Sequence, residues 1–166
     1  MLLRTEPVPF RISTVDLSLL YREQDLSAKV HVEAQSLADY EARTGLHYRT
    51  LQVWFEGVHE ARCRGGNFDE MHHGDIQLEQ TPADEIQHWR DTGHCPFSGL
   101  YRALEHPGLA ALRAHYDPRG LRDLQLFILT GNDSYLEILA TGYRYALADT
   151  LNRQDTLTIG PSAPPG

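Results

Sequence analysis

Ala28, Val30, Val32 and Ala34 alternate with Lys29, His31 and Glu33. A period of two sends alternate side chains to opposite faces, so this stretch predicts a strand with one buried and one wet face. Leu51, Val53 and Phe55 alternate in the same way with Gln52, Trp54 and Glu56. Phe10 to Tyr21 alternates more loosely through Ile12, Val15, Leu17 and Leu19, which suits one long strand or two short ones. With Glu23-Gln24-Asp25 as a turn, 10–21 and 28–34 form a predicted hairpin. Gly57 marks a bend, after which 58–64 continues as strand, and Asp75 to Glu79 is a short strand through Ile76 and Leu78. Leu124 to Thr130 is almost continuously apolar, the pattern of a strand buried on both faces. Gly131-Asn132-Asp133 turns it into Tyr135 to Tyr145, a second hairpin.

Helical signals are fewer. Thr81-Pro82-Ala83-Asp84-Glu85 combines a capping Thr, a Pro suited to the first helical position and early acids. Ile86 and Trp89 follow on one face, and Gly93 is the expected stop. A second helix opens at His106-Pro107, carries Leu109, Leu112 and Tyr116, and ends before Pro118. Leu37 to Leu46 has room for a short helical turn, Leu100 to Leu104 fits strand or helix, and Gly65 to His73 reads as loop. This order predicts an α+β fold: a mainly antiparallel sheet built from hairpins with two short inserted helices. Residues 1–159 read as a single domain and 160–166, GPSAPPG, as a disordered tail.

Charge narrows the function. The 166 residues include 15 basic and 23 acidic ones, a net charge of −8. That balance opposes sequence-independent binding to nucleic acid and to anionic membrane surfaces, and it permits a basic partner. Acids concentrate at 69–75 and 84–91, interleaved with His72, His73 and His88, so a basic partner or a stray cation is expected there. Pro7 and Pro9 interrupt any apolar stretch in Met1 to Phe10, and no window approaches the ~20 apolar residues of a membrane span. The expectation is a cytoplasmic protein with no membrane contact. Lys29 is the one lysine beside 14 arginines, a bias that a GC-rich genome explains.

Candidate chemistry begins with His72 and His73, beside Asp69, Glu70 and Asp75, and with His94-Cys95. These are metal-ligand types, but their spacing matches no established zinc pattern, and adjacent His residues on an extended chain point apart. No metal and no cofactor is expected. A thiol nucleophile needs a base held against its sulfur, and His94 is poorly placed for that as Cys95's neighbour in sequence. A metal-dependent or thiol enzyme using His72, His73, His94 and Cys95 is the alternative reading. Arg64-Gly65-Gly66-Asn67 lacks a phosphate-loop pattern. Trp54 falls on the polar face of its strand. Either a helix covers it, or it joins Tyr48 and Glu56 as a surface anchor of the kind common at interfaces. Glu137 lies on the polar face of its strand, as a solvated charge or as a contact.

Two stretches carry a resemblance: Trp89-Arg90-Asp91-Thr92-Gly93-His94-Cys95-Pro96 with Gly99-Leu100-Tyr101, and Leu124 to Gly142. They resemble a family of small bacterial proteins in which a Trp-Arg-x-Thr-Gly-x-Cys-Pro segment precedes a strand pair built on Gly-x-Asp-x-Tyr-x-Glu. Phe55-Glu56-Gly57-Val58-His59 is similar to the sheet of the immunity-like proteins that accompany secreted toxins. The match is most specific at Gly131, Asp133, Tyr135 and Glu137, and it brings no catalytic residues with it. The resemblance implies a non-enzymatic acidic binding protein, an immunity-type inhibitor whose protein partner is a basic toxic enzyme. Trp54, Glu56, Asp69, Glu70, Asp133, Tyr135 and Glu137 are the candidate binding residues. A homodimer through an exposed sheet face stays open.

Overall fold

The structure is a computed structural model that describes residues 1–14, 16–42, 47–148 and 158–159. The segment 160–166, expected to be a tail, lies outside the described residues, as do Val15 and 43–46. The fold is α+β with sheets that are mainly antiparallel, as the alternation implied. The strands form two six-stranded sheets. In the first, β6 (Glu60–Gly65), β10 (Ser134–Ala140), β9 (Gln125–Thr130), β8 (Leu100–Glu105), β1 (Leu2–Thr5) and β7 (Gln77–Leu78) lie in that order. All its pairings are antiparallel except β1 with β7. In the second sheet, β12 (Thr158–Ile159), β11 (Gly142–Leu147), β5 (Arg49–Glu56) and β4 (Ser27–Ser36) are neighbours. β2 (Phe10–Ile12) and β3 (Ser18–Arg22) take different stretches of β4. The loose alternation from Phe10 to Tyr21 is therefore two strands.

The central strands of the first sheet, β9 and β10, are buried on both faces. Phe127, Leu129, Leu136 and Ile138 point to the second sheet, where they meet Val30, Val53, Phe55 and Tyr143. Leu126, Ile128, Tyr135 and Leu139 point the other way and pack with Phe68 and Leu109. Those two residues come from α2 (Phe68–Met71) and α4 (Leu109–Tyr116). The continuous apolar run of β9 follows from this double burial. Between the sheets, Glu6 is fully buried and takes a two-pronged contact from Arg102, with Nε–Oε1 2.7 Å and Nη2–Oε2 3.1 Å. Burial pushes the hydroxyl of nearby Tyr143 well above its ordinary pKa, and the Glu6 charge adds to the shift.

Two chain crossings join the sheets at one corner. β5 passes into β6 through Gly57-Val58-His59, and β10 passes into β11 at Thr141. Tyr135 to Tyr145 is thus two strands in two sheets. Hydrogen bonds from Thr141 N–H to the Glu56 carbonyl (2.9 Å) and from His59 N–H to the Leu139 carbonyl (2.9 Å) keep the ladder intact around the bend. Gly57 has φ +58°, and a Cβ there would sit 2.6 Å from Thr141 Oγ1.

Four helices are present among the described residues, where the sequence pointed to two inserted ones. α1 (Leu37–Glu41) is held by a capping box: Ser36 Oγ accepts from Asp39 N–H, and the Asp39 carboxylate accepts from Ser36 N–H at 2.9 Å. α2 forms where a loop was expected, because Asn67 Oδ1 accepts from the Asp69 and Glu70 amides (3.0 and 3.2 Å) and Phe68 is buried. α3 (Glu85–Thr92) starts at Asp84, whose carboxylate accepts from Gln87 N–H, so Thr81 and Pro82 belong to the preceding loop. It ends at Gly93 with φ +72°, the left-handed stop that the sequence signalled. α4 begins at Leu109, beyond His106-Pro107, because His106 Nδ1 accepts the Gly108 amide (3.1 Å) in a local turn. Leu100 to Leu104 is strand, within β8.

Two measurements test these anchors. Gly57→Ala should cost about 2 kcal/mol in urea unfolding, from left-handed strain and the clash with Thr141. Gly142→Ala, whose Cβ meets nothing within 4 Å, should change stability by less than about 0.5 kcal/mol. Arg49 binds Asp39 through two hydrogen bonds (2.5 and 3.0 Å) and, as the largest cause, lowers its pKa from 3.8 to about 2. A lowered carboxyl pKa stabilises the fold above the unfolded value and ceases to do so as pH falls through the folded one. Asp39→Asn should therefore lose about 2 kcal/mol at neutral pH, with the gap to the parent closing between about pH 4 and pH 2.

Candidate functional site

Three regions collect the chemically capable residues. The first is the helix-covered face of the first sheet. Glu137 shares that face with Tyr135 and Leu139, by the strand's period of two. Arg64 on the neighbouring β6 reaches it, with Nε 3.0 Å from Glu137 Oε2. One step along β6, Arg62 pairs with Glu60, which also accepts a hydrogen bond from the Tyr116 hydroxyl of α4 (3.1 Å). These groups surround a cavity of about 450 Å³, walled on the far side by α4 and His106 and floored by Leu112, Leu126 and Leu139. Burial lowers the His106 pKa, which favours the neutral ring, and its Nδ1 is the acceptor for Gly108 N–H.

Next to this cavity, the Tyr135 ring packs edge-on against Phe68 with centroids 5.0 Å apart, and its hydroxyl is 3.0 Å from His72 Nε2. Burial raises the Tyr135 pKa. α2 is tied to the β9–β10 turn by Gly66 N–H to the Asp133 carbonyl (2.8 Å) and Asn67 Nδ2 to the Asn132 carbonyl (3.1 Å). Asp69, Glu70 and Asp133, all exposed, are thereby brought to the end of the sheet that holds Tyr135 and Glu137. Asp69 and Glu70 occupy the first turn of α2.

The second region lies on the outer face of the second sheet. Trp54 is half-buried, and two cations from its neighbour strands flank the ring. Lys29 Nζ on β4 is 5.0 Å from the ring centroid and Arg144 Cζ on β11 is 5.6 Å away. Both residues are Trp54's register partners. Such cation–π contacts help to hold a ring in place. Glu56 is exposed and pairs with Arg144 at 3.4 Å. The Trp54–Glu56 pair and the Asp69–Glu137 group thus belong to different sheets.

The third region is a cavity of about 680 Å³ between β1, the loop after β7, and α3. His88, His94 and Cys95 line it, with Arg4 and Glu79 joined across it by two hydrogen bonds of 2.5 and 2.8 Å. Cys95 is buried, and that burial pushes its thiol up to about 12, so the nucleophilic thiolate is not available at neutral pH. His72 belongs to the first region and His94 and Cys95 to the third. His73 is exposed beyond α2. Among the described residues, no three His, Cys, Asp or Glu side chains group as a metal site.

Glu60, Arg62, Arg64, His106 and Tyr116 were not singled out from the sequence. The period-two row of Glu60, Arg62 and Arg64 was a readable signal, since it has the spacing of a strand's polar face. Its pairing with Glu137, 73 positions away, was not. No family model, curated protein or solved structure matches this chain. Among the described residues, no helix is long and apolar enough to cross a membrane.

The two thiols should behave differently. Cys63 is exposed on β6 and Cys95 is buried. Ellman's reagent at mildly alkaline pH should modify one thiol in the native chain and both after denaturation. Cys63→Ser should abolish the native reaction, and persistent native labelling in that variant would refute the assignment.

Proposed function

We propose that this chain is a non-enzymatic acidic binding protein whose partner is a basic protein, with immunity-type inhibition of a toxic enzyme as the form of that binding. The observation that supports this reading is a concentration of exposed carboxylate. From Phe68 to Asp91 the chain carries seven acids and one arginine. All seven are exposed, and Arg90 is already engaged by Glu41 at 2.6 Å. Of the seven, Glu79 is paired with Arg4. Asp69, Glu70, Asp75 and Glu85 remain facing water beside short helices and turns, free to offer a negative field to an approaching cationic surface. Fields of this kind raise association rates and select against acidic competitors. The enzyme alternative draws no support from Cys95, whose thiol is held protonated by burial.

The immobilised chain should capture a protein from a lysate of its source organism, and the captured protein, once purified, decides the matter. It should be basic, and its association rate with this chain should fall by about tenfold or more as salt is raised to physiological strength. Asp69→Asn, Glu70→Gln, Asp75→Asn and Glu85→Gln combined should slow association several-fold with little change at high salt. Loss of the partner's enzymatic activity in the complex is expected. An acidic partner, or an association rate indifferent to salt and to the four substitutions, would overturn the reading.

A further inference from the structure

The cavity under α4 has a charge order of its own. Its carboxylates lie deep and its guanidinium groups lie at the mouth: the Glu137 and Glu60 side chains are 11% and 18% exposed, whereas Arg64 and Arg62 are 45% and 48% exposed. The floor of Leu112, Leu126 and Leu139 is apolar. At about 450 Å³ the cavity lies toward the small end of ligand pockets, which run roughly 300–1,000 Å³. We propose that this cavity binds a small α-amino acid with an apolar side chain. The ligand's ammonium group meets Glu137 and Glu60, its carboxylate meets Arg64 and Arg62, and its side chain lies on the leucine floor.

Around the cavity each arginine is matched to a glutamate, Arg64 to Glu137 and Arg62 to Glu60. A ligand that enters between them separates matched charges, and a half-buried carboxylate left without a cation is costly. A lone carboxylate ligand would bring a third negative charge toward two that are already there. A lone amine would satisfy the glutamates and leave the arginines to water. A molecule carrying both groups on one carbon can offer a cation to the glutamates and an anion to the arginines, and it leaves the net charge of the cavity unchanged. Arg64 Nε and Glu137 Oε2, 3.0 Å apart, place a cation and an anion side by side, so one small molecule can reach both. Arg also suits a carboxylate through its planar fork. On the opposite wall burial lowers the His106 pKa and its Nδ1 is occupied by the Gly108 amide, and His115 and Tyr116 also line the cavity from α4.

The test uses three probes on one alkyl stem: 2-aminohexanoate, hexanoate and pentylamine, titrated into the full chain by calorimetry. The Leu112, Leu126 and Leu139 methyl resonances locate the ligand. The amino acid should bind saturably and shift those methyls, hexanoate should bind at least about tenfold more weakly, and pentylamine should fall in between. Glu137→Gln should weaken 2-aminohexanoate by about tenfold. Ala111→Phe, which puts a ring into the cavity from α4 and removes no charged group, should abolish binding, and it decides the matter if Glu137→Gln does not fold. No saturable binding of the amino acid, hexanoate or pentylamine binding as tightly, or retained affinity in the folded Ala111→Phe variant would each overturn the proposal.

Discussion

The fold depends on a single shared corner. A strand pair that leaves one sheet for another must keep its hydrogen bonds through the bend or bury unpaired amides, and either failure is expensive. Here both crossings occur at the same level, Gly57-Val58-His59 beside Thr141, so the two bent chains bond to each other as they turn. The approach is close enough that a β-carbon at residue 57 would overlap the Thr141 side chain. Once that corner is set, the register of β6 on β10 and of β11 on β5 follows, and with it the face that each side chain takes.

Those faces explain where charge ends up. Between the sheets, Glu6 and Arg102 form an ion pair made with both prongs of the guanidinium. The opposite face of the first sheet is only partly roofed, because α2 and α4 are short. Leu109 is the one buried residue of α4, so the helix stands over the strands at one end and leaves charged side chains of β6 and β10 around a hollow. On the second sheet, the chain's sole lysine sits against a tryptophan. Its place there is a structural role that codon bias alone does not describe.

Much of the strand inventory was legible because local periodicity carries it. Ala28 to Ala34, Leu51 to Phe55 and Leu124 to Thr130 are strands with the burial their patterns imply. What local pattern could not show was partnership. The switch of sheets falls at Thr141, where the core-facing positions shift phase from Leu136, Ile138 and Ala140 to Tyr143 and Tyr145, but that shift does not name the new partner strand. β1 is four residues long and was invisible to a search for periodicity. α2 escaped because its helical signal is a single cap, Asn67, with one buried anchor, Phe68. The site suffered likewise. Glu137 and Tyr135 were recognised, but the groups that give them meaning, Arg64 and His72, come from distant stretches of chain.

The position of β1 has a consequence for synthesis. Leu2–Thr5 lies between β8 and β7, so its neighbours are residues 100–105 and 77–78. A ribosome adding about 5–20 residues per second needs on the order of 5–20 s to make the intervening chain. β1 has neither partner until Gln77–Leu78 is made, and it lacks its antiparallel partner until Leu100–Glu105 follows. Until β1 docks, the β8 edge that it occupies is open to any extended chain that reaches it first.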